Sequence, residues 1–164
     1  PFNQEEAGMS RLGRRVSLVA ITAGALLAAP ALTPSVAAQE IMQQVTTEQL
    51  QTMLESMGYD VEQPKEDLLQ FAIEGHTAVI VNKKTNFQLY SYFEKKKKID
   101  LKKVNEWNAS KRFSRAYLDK DGDAVLEWDV DLEGGTTAGA LKESIRTYRV
   151  GVMTFVRFLN GEKV

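Results

Sequence analysis

Two sets of carboxylates stand out for their spacing. Glu127, Asp129 and Asp131 fall at every second residue, as do Asp119, Asp121 and Asp123 just before them. Paired carboxylates hydrolyse a glycosidic bond when they flank a sugar inside a cleft. In a strand, the spacing of the first set lines all three along one outer face. There they serve solubility, with Arg112 and Arg115 as partial neighbours. The second set resembles the start of a calcium loop, which needs glycine at its sixth position and glutamate at its twelfth. Counted from Asp119, those positions hold Ala124 and Val130, and Gly122 comes two places early. The segment is therefore read as a polar hairpin turn in which glycine supplies a positive φ. The sole histidine, His76, sits in a tight turn, and no Gly-x-Ser-x-Gly nucleophile elbow is present. Cysteine is absent, which excludes disulfides, thiolate metal sites and a cysteine nucleophile. No catalytic residue, metal-ligand set or cofactor is assigned, and the chain is read as not an enzyme.

The residues left for function are those that make contacts. Tyr90 and Tyr92 lie on one face of a strand, and Tyr148 and Phe155 lie on the last helix; these four are the candidate partner-binding residues. Aromatic side chains on an outer face are common in interaction surfaces. Lys95, Lys96, Lys97 and Lys98, with Lys102 and Lys103, form a candidate basic contact patch for phosphate, an acidic partner or anionic lipid. The simpler role for such a run is a solvated loop that keeps an edge strand from pairing with another chain.

These side chains need elements to hold them. Thr46 with Gln49 has the form of a capping box, and Leu50, Met53, Leu54 and Met57 follow at helical spacing up to Gly58. Glu62 to Lys65 reads as a loop around Pro64. Three strands follow, carried by Leu69, Phe71 and Ile73, by Thr77 to Val81, and by Phe87 to Phe93; their short connections make them antiparallel. Asp100 caps a second helix whose Leu101, Val104 and Trp107 are read as one face. Phe113 to Leu118 then pairs with Ala124 to Leu132, with Ala124, Leu126, Trp128, Val130 and Leu132 facing the core and Arg115 opposite Glu127. A surface pair of that kind contributes only ~0.2–1 kcal/mol. Thr136 or Thr137 caps a final helix with an apolar stripe from Leu141 to Leu159. The expected fold class is α+β: an antiparallel five-stranded sheet packed by helices, in the order α-β-β-β-α-β-β-α.

Of 164 residues, 43% are hydrophobic and 26% charged, an ordinary globular balance. The formal net charge of −1 gives no field to draw in nucleic acid, and none is expected as a partner. Met9 opens a three-part export signal. Arg11, Arg14 and Arg15 form a basic region, Val16 to Ala31 an apolar run, and Val36-Ala37-Ala38 a small-x-small cleavage site. The apolar run is shorter than the roughly 20 residues of a spanning helix, so no stable membrane insertion is expected after cleavage. The expected organisation is an extraneous leader or misplaced gene start at 1–8, a signal peptide at 9–38, a flexible leader at 39–46 and one domain at 47–160. The expected location is the periplasm or outside the cell.

The run Asn105-Glu106-Trp107-Asn108, then Phe113-Ser114-Arg115-Ala116-Tyr117-Leu118-Asp119, then Gly122 and the alternating strand to Leu132, resembles the YbjN-type domain family of bacterial sensory transduction regulators. The resemblance covers about Thr47 to Leu159. It implies a fold similar to type III secretion chaperones, which dimerise and hold partner segments. It transfers no catalytic residue. The functional expectation is an exported interaction module that binds a protein or peptide, with a homodimer as one form. The alternative is a small-ligand-binding or sensory domain with a pocket between sheet and helices.

Overall fold

The computed structural model describes residues 40–94 and 99–164. The expected leader at 1–8, the signal peptide at 9–38 with its cleavage site, and the lysine run Lys95 to Lys98 lie outside the described residues.

The described chain runs α1 (Thr47–Ser56), β1 (Val61–Lys65), β2 (Leu68–Ile73), β3 (His76–Asn82), β4 (Asn86–Phe93), α2 (Leu101–Ser110), β5 (Arg115–Leu118), β6 (Ala124–Asp131) and α3 (Ala138–Leu159). The strands form one antiparallel sheet in the order β1-β2-β3-β4-β6-β5. The fold is α+β as expected, but the sheet has six strands and not five. The extra strand, β1, lies where Pro64 and its polar neighbours signal a loop. It is an edge strand, exposed along most of its length, with a break in register between Glu62 and Lys65. Proline is tolerated on a sheet edge because no ladder bond is needed there, and a strand exposed on both faces carries no alternating pattern to read.

Local chemistry sets the turns and caps. Thr46 Oγ1 accepts from Gln49 N at 3.2 Å, and Thr46 N donates to Gln49 Oε1 at 2.8 Å, closing the capping box of α1. Asp100 caps α2 and Thr137, not Thr136, caps α3. Between β2 and β3 the two-residue turn Glu74-Gly75 has φ of 50° and 80°, the double left-handed geometry that matches strand twist.

The three helices bury their apolar side chains on one face of the sheet. Leu50 and Leu54 of α1, Val104 and Trp107 of α2, and Leu141, Ile145, Tyr148, Val152 and Phe155 of α3 join Leu69, Ile73, Ile80, Phe87, Leu89 and Leu126 in a single core. Trp107 packs on Phe155 with ring centroids 4.8 Å apart, and Phe155 on Phe93 at 5.0 Å. Tyr148 Oη donates to the Leu126 carbonyl at 2.9 Å and lies 3.1 Å from Ser91 Oγ, so this buried phenol has its partners inside the core. Leu101 is 67% exposed rather than on the buried face. Six residues at 3.6 per turn place it about 120° around the helix from Trp107.

Within 40–46, part of the segment expected as a flexible leader, Met42 and Val45 bond to the rest of the domain. Met42 exchanges two 2.8 Å backbone bonds with Thr136. Val45 is buried, its N–H donates to the Lys84 carbonyl at 2.9 Å, and its own carbonyl accepts from the Asn82 amide at 2.9 Å.

Candidate partner-binding surface

No described helix packs on the other face of the sheet, and three cross-strand rows make up its middle. One row is Leu68, Val81, Gln88 and Asp129; the next is Gln70, Val79, Tyr90, Glu127 and Arg115; the third sets Val125 between Tyr92 and Tyr117. Strand alternation puts all of these on the side away from the helices.

Val79, Val125 and Glu127 are buried on this face although the helices pack elsewhere. Three tyrosines do the covering. Tyr92 and Tyr117 flank Val125 from the two neighbouring strands and stay 42% and 41% exposed. Tyr90 meets Tyr92 edge-on, with centroids 5.3 Å apart. The expectation of Tyr90 and Tyr92 on an outer face therefore holds, and Tyr117 joins them. Its place in the alternation of β5 was legible, but the strand is only four residues long. Loss of water raises the Tyr90 phenol to about 12, assisted by Tyr92 beside it. Tyr117 is raised by desolvation and then by the Glu127 charge.

Glu127 departs most from its expected role. Rather than one of three solvated carboxylates, it is 4% exposed and lies beneath two donors. Arg115 Nε donates to Glu127 Oε1 at 3.1 Å and Arg115 Nη2 donates to the same oxygen; Gln88 Nε2 donates there as well. Gln88 Nε2 also reaches Asp129 Oδ1 at 2.9 Å. The register of Arg115 opposite Glu127 is the expected one. Arg112 does not join them; its guanidinium stands over the Phe113 ring at 5.1 Å. This arrangement neutralises a carboxylate within an apolar, aromatic surface. It presents aromatic faces, hydroxyls and amide groups at the surface.

Other expected contact points are placed elsewhere. Tyr148 and Phe155 are 1% and 0% exposed. They belong to the core because the apolar stripe of α3 is the side that packs on the sheet, so they are not available to a partner. Lys103 of the basic patch donates to the Leu159 carbonyl at 3.1 Å and stands 5.2 Å over the Phe158 ring. His76 opens β3, half-buried, its ring 5.0 Å from Phe93, rather than standing exposed in a turn. Asp119 Oδ1 accepts from the backbone N–H of Asp121 at 3.0 Å and of Asp123 at 2.9 Å, and Gly122 has φ 79°; the segment is the hairpin turn expected of it.

The sheet edges are closed to an added strand in two ways. β1 carries Pro64 and charged residues. On β5, the outward N–H of Ala116 donates to Asn108 Oδ1 at 2.8 Å and its carbonyl accepts from Asn108 Nδ2 at 2.9 Å. One side-chain amide of α2 thus takes the place of a neighbouring strand at that point.

A cavity of about 300 Å³ lies where α2, the α2–β5 connection and α3 meet. No strand residue lines it, so it is between helices and not between sheet and helices as the small-ligand reading expected.

A family model described as "YbjN: Putative bacterial sensory transduction regulator" matches residues 46–160. No curated protein matches the chain. Among solved structures, the chain is similar to one in the ExoT–SpcS complex from Pseudomonas aeruginosa, with a TM-score of 0.47 and 12% identity over 63% of this chain and 90% of that one. It is also similar to one in the HopA1–SchA chaperone–effector complex, with a TM-score of 0.44 and 12% identity over 61% and 86% of the two chains.

Proposed function

This chain belongs to the YbjN family, and on that premise we propose that it is an exported, non-catalytic interaction module that binds a protein or peptide partner on the sheet face that no described helix covers. The observation that carries the reading is the group Tyr90, Tyr92 and Tyr117 over buried Val79 and Val125, with Glu127 ion-paired to Arg115 and hydrogen-bonded by Gln88. Exposed tyrosines supply rigid contact area at low entropic cost and keep a hydroxyl for the rim of an interface. The family description, a sensory transduction regulator, agrees with a binding role. The other routes for a partner are weaker: the apolar stripe of α3 is used by the core, and both sheet edges are guarded. Export is supported by the basic, apolar and small-residue segments of 9–38.

The test is a photo-crosslinking amino acid placed at Tyr92 or Tyr117 of the full chain in its native host, with Lys142 on α3 as the control position. A discrete adduct formed from the two tyrosine positions and absent at Lys142 supports the reading. If that adduct has twice the mass of the chain, the partner is a second copy, which light scattering across a concentration series checks independently. Adducts that are absent, or alike at all three positions, overturn the proposed surface. A mass spectrum of the secreted chain starting at Gln39 supports export, and a chain retained uncleaved in the cytoplasm overturns it.

A further inference from the structure

The tyrosine face changes character along a single strand. β6 turns Val125, Glu127, Asp129 and Asp131 outward in succession. At Val125 the neighbours are Tyr92 and Tyr117, one from each flanking strand, and their exposed rings make an aromatic platform. At Glu127 the carboxylate is buried and taken up by Arg115 and Gln88. At Asp129 and Asp131 the surface opens, and both residues are exposed. β5 ends at Arg115, opposite Glu127, so neither aspartate has a partner residue there. Their partners in β4 are Gln88 and Asn86, which carry no charge.

The two outer carboxylates are held only in part. Asp129 Oδ1 accepts from Gln88 Nε2 at 2.9 Å and Oδ2 lies 3.5 Å from Arg115 Nη2, yet the side chain stays 61% exposed. Asp131 Oδ1 accepts from the Glu133 N–H at 3.0 Å, and among the described residues it has no ion-pair partner. Lys83 and Lys84, in the turn before β4, form no ion pair with either aspartate; Lys83 holds Asp67 at 2.7 Å. A strand rises about 3.3 Å per residue, so Asp129 lies about 13 Å and Asp131 about 20 Å from the platform along β6. An extended peptide laid over the strand has the same rise, and its alternate side chains keep step with those beneath.

We propose that this face takes an extended peptide segment that carries one bulky apolar residue and, four and six residues from it, lysine or arginine. The inference rests on the partner-binding reading above and names the chemistry of that partner. The segment lies along β6. Its apolar side chain packs on the rings of Tyr92 and Tyr117, and its cations meet Asp129 and Asp131. Arg115 adds a rule of exclusion. Its guanidinium is exposed at the level between platform and aspartates, so a cation two residues from the apolar one meets a like charge. An acidic segment of the same shape is repelled by both aspartates, and a neutral one gains the platform alone.

The experiment uses the full chain and short labelled peptides of serine and threonine, read by fluorescence anisotropy at low ionic strength. The probe carries one tryptophan with lysines four and six residues away, made in both chain directions. The controls carry glutamate in place of lysine, a lysine two residues from the tryptophan, or serine in place of tryptophan. The probe binds in one direction and every control binds more weakly. Asp129→Asn combined with Asp131→Asn keeps the acceptor oxygens for Gln88 and Glu133. It weakens the probe roughly fivefold, the scale of two exposed ion pairs, and flattens its salt dependence. No probe binding, equal binding of the glutamate or displaced-lysine control, or unchanged affinity in the double variant overturns the proposal. The same double variant is then combined with the crosslinker at Tyr92 in the native host. Loss of most of the adduct supports the charge rule. A full adduct overturns it and leaves the tyrosine surface standing as the partner site, whereas no adduct even in the parent overturns that surface and this inference with it.

Discussion

At the scale of single residues, Glu127 shows how register turns an ordinary surface pair into a buried one. The pairing with Arg115 follows from strand alternation, and alone it has the worth of any exposed ion pair. The tyrosines on either side change the sum, because they leave the carboxylate almost without water while Arg115 stays 62% exposed. Removing the arginine strands a buried charge. Arg115→Ala should cost about 1–3 kcal/mol in urea unfolding, and Glu127→Gln less, because the amide keeps oxygen for its donors. Equal losses in the two variants would show that the carboxylate is solvated. The phenols make a second prediction. Tyr90 is raised from 10.0 to about 12, and burial raises Tyr148 as well. A raised phenol stays protonated in the folded chain while the unfolded chain ionises. Its stabilising effect is thus complete below pH 10 and is lost as the pH climbs through about 12. Stability should fall across that window, and fall less steeply in Tyr90→Phe; an identical alkaline profile for that variant would remove Tyr90 as a source.

At the scale of elements, the helices and hairpins were largely legible and the edges were not. Thr46 with Gln49 announces a capping box, and the structure holds both of its bonds. Thr46→Ala should therefore cost about 1 kcal/mol, measurable by thermal unfolding, with no cost expected only if the first turn of α1 frays. The hairpin around Gly122 and the alternation of β6 were equally clear, because a two-residue period has one meaning when a turn bounds it. β1 could not be read, since a strand exposed on both faces carries no period and Pro64 argues against it. Nor could the burial of Glu127, or the withdrawal of Tyr148 and Phe155 into the core. Alternation tells which face a side chain takes and is silent on what covers that face. Asn108 lies beyond local patterns too, because its partner Ala116 is eight residues away on another element. Asn108→Ala should leave the Ala116 N–H and carbonyl open at the sheet edge and raise self-association in light scattering. A variant that stays as monodisperse as the parent would show that the amide does not guard the edge.

At the scale of the whole molecule, one core joins the three described helices to one face of the sheet, while on the opposite face, among the described residues, the tyrosines cover Val79 and Val125. Central strands β3, β4 and β6 are flanked on both sides, and β1 has one partner and little burial. Amide exchange should follow that order, slowest in β4 and β6 and fastest in β1. Uniform protection across the sheet would mean that β1 opens only with the whole. The described helices and the cavity all lie on one side of the asymmetry, and the proposed partner surface on the other. The likeness to the YbjN family was legible from Trp107-Asn108, Phe113, Tyr117-Leu118-Asp119 and Gly122, and each now has a physical task. Trp107 is core and cavity wall, Asn108 an edge cover, Phe113 an outward-turned ring, Asp119 and Gly122 a turn.

The bond between Asn108 and Ala116 makes one backbone amide a witness to events on another element. Ala116 lies opposite Leu126 of β6, as Arg115 and Tyr117 lie opposite Glu127 and Val125, yet its N–H points away from β6 and donates to a helix side chain. Any opening that lifts α2 from its seat must expose this proton to solvent, even while the sheet stays whole. In an exchange experiment Ala116 should keep time with the amides of α2 and not with those beside it in β5. Its rate therefore reads the docking equilibrium of the helix directly, at a single resolvable site, without a dye, a tag or a substitution. An Ala116 amide that exchanged in step with Tyr117 would mean instead that helix and edge strand part from the fold as one piece.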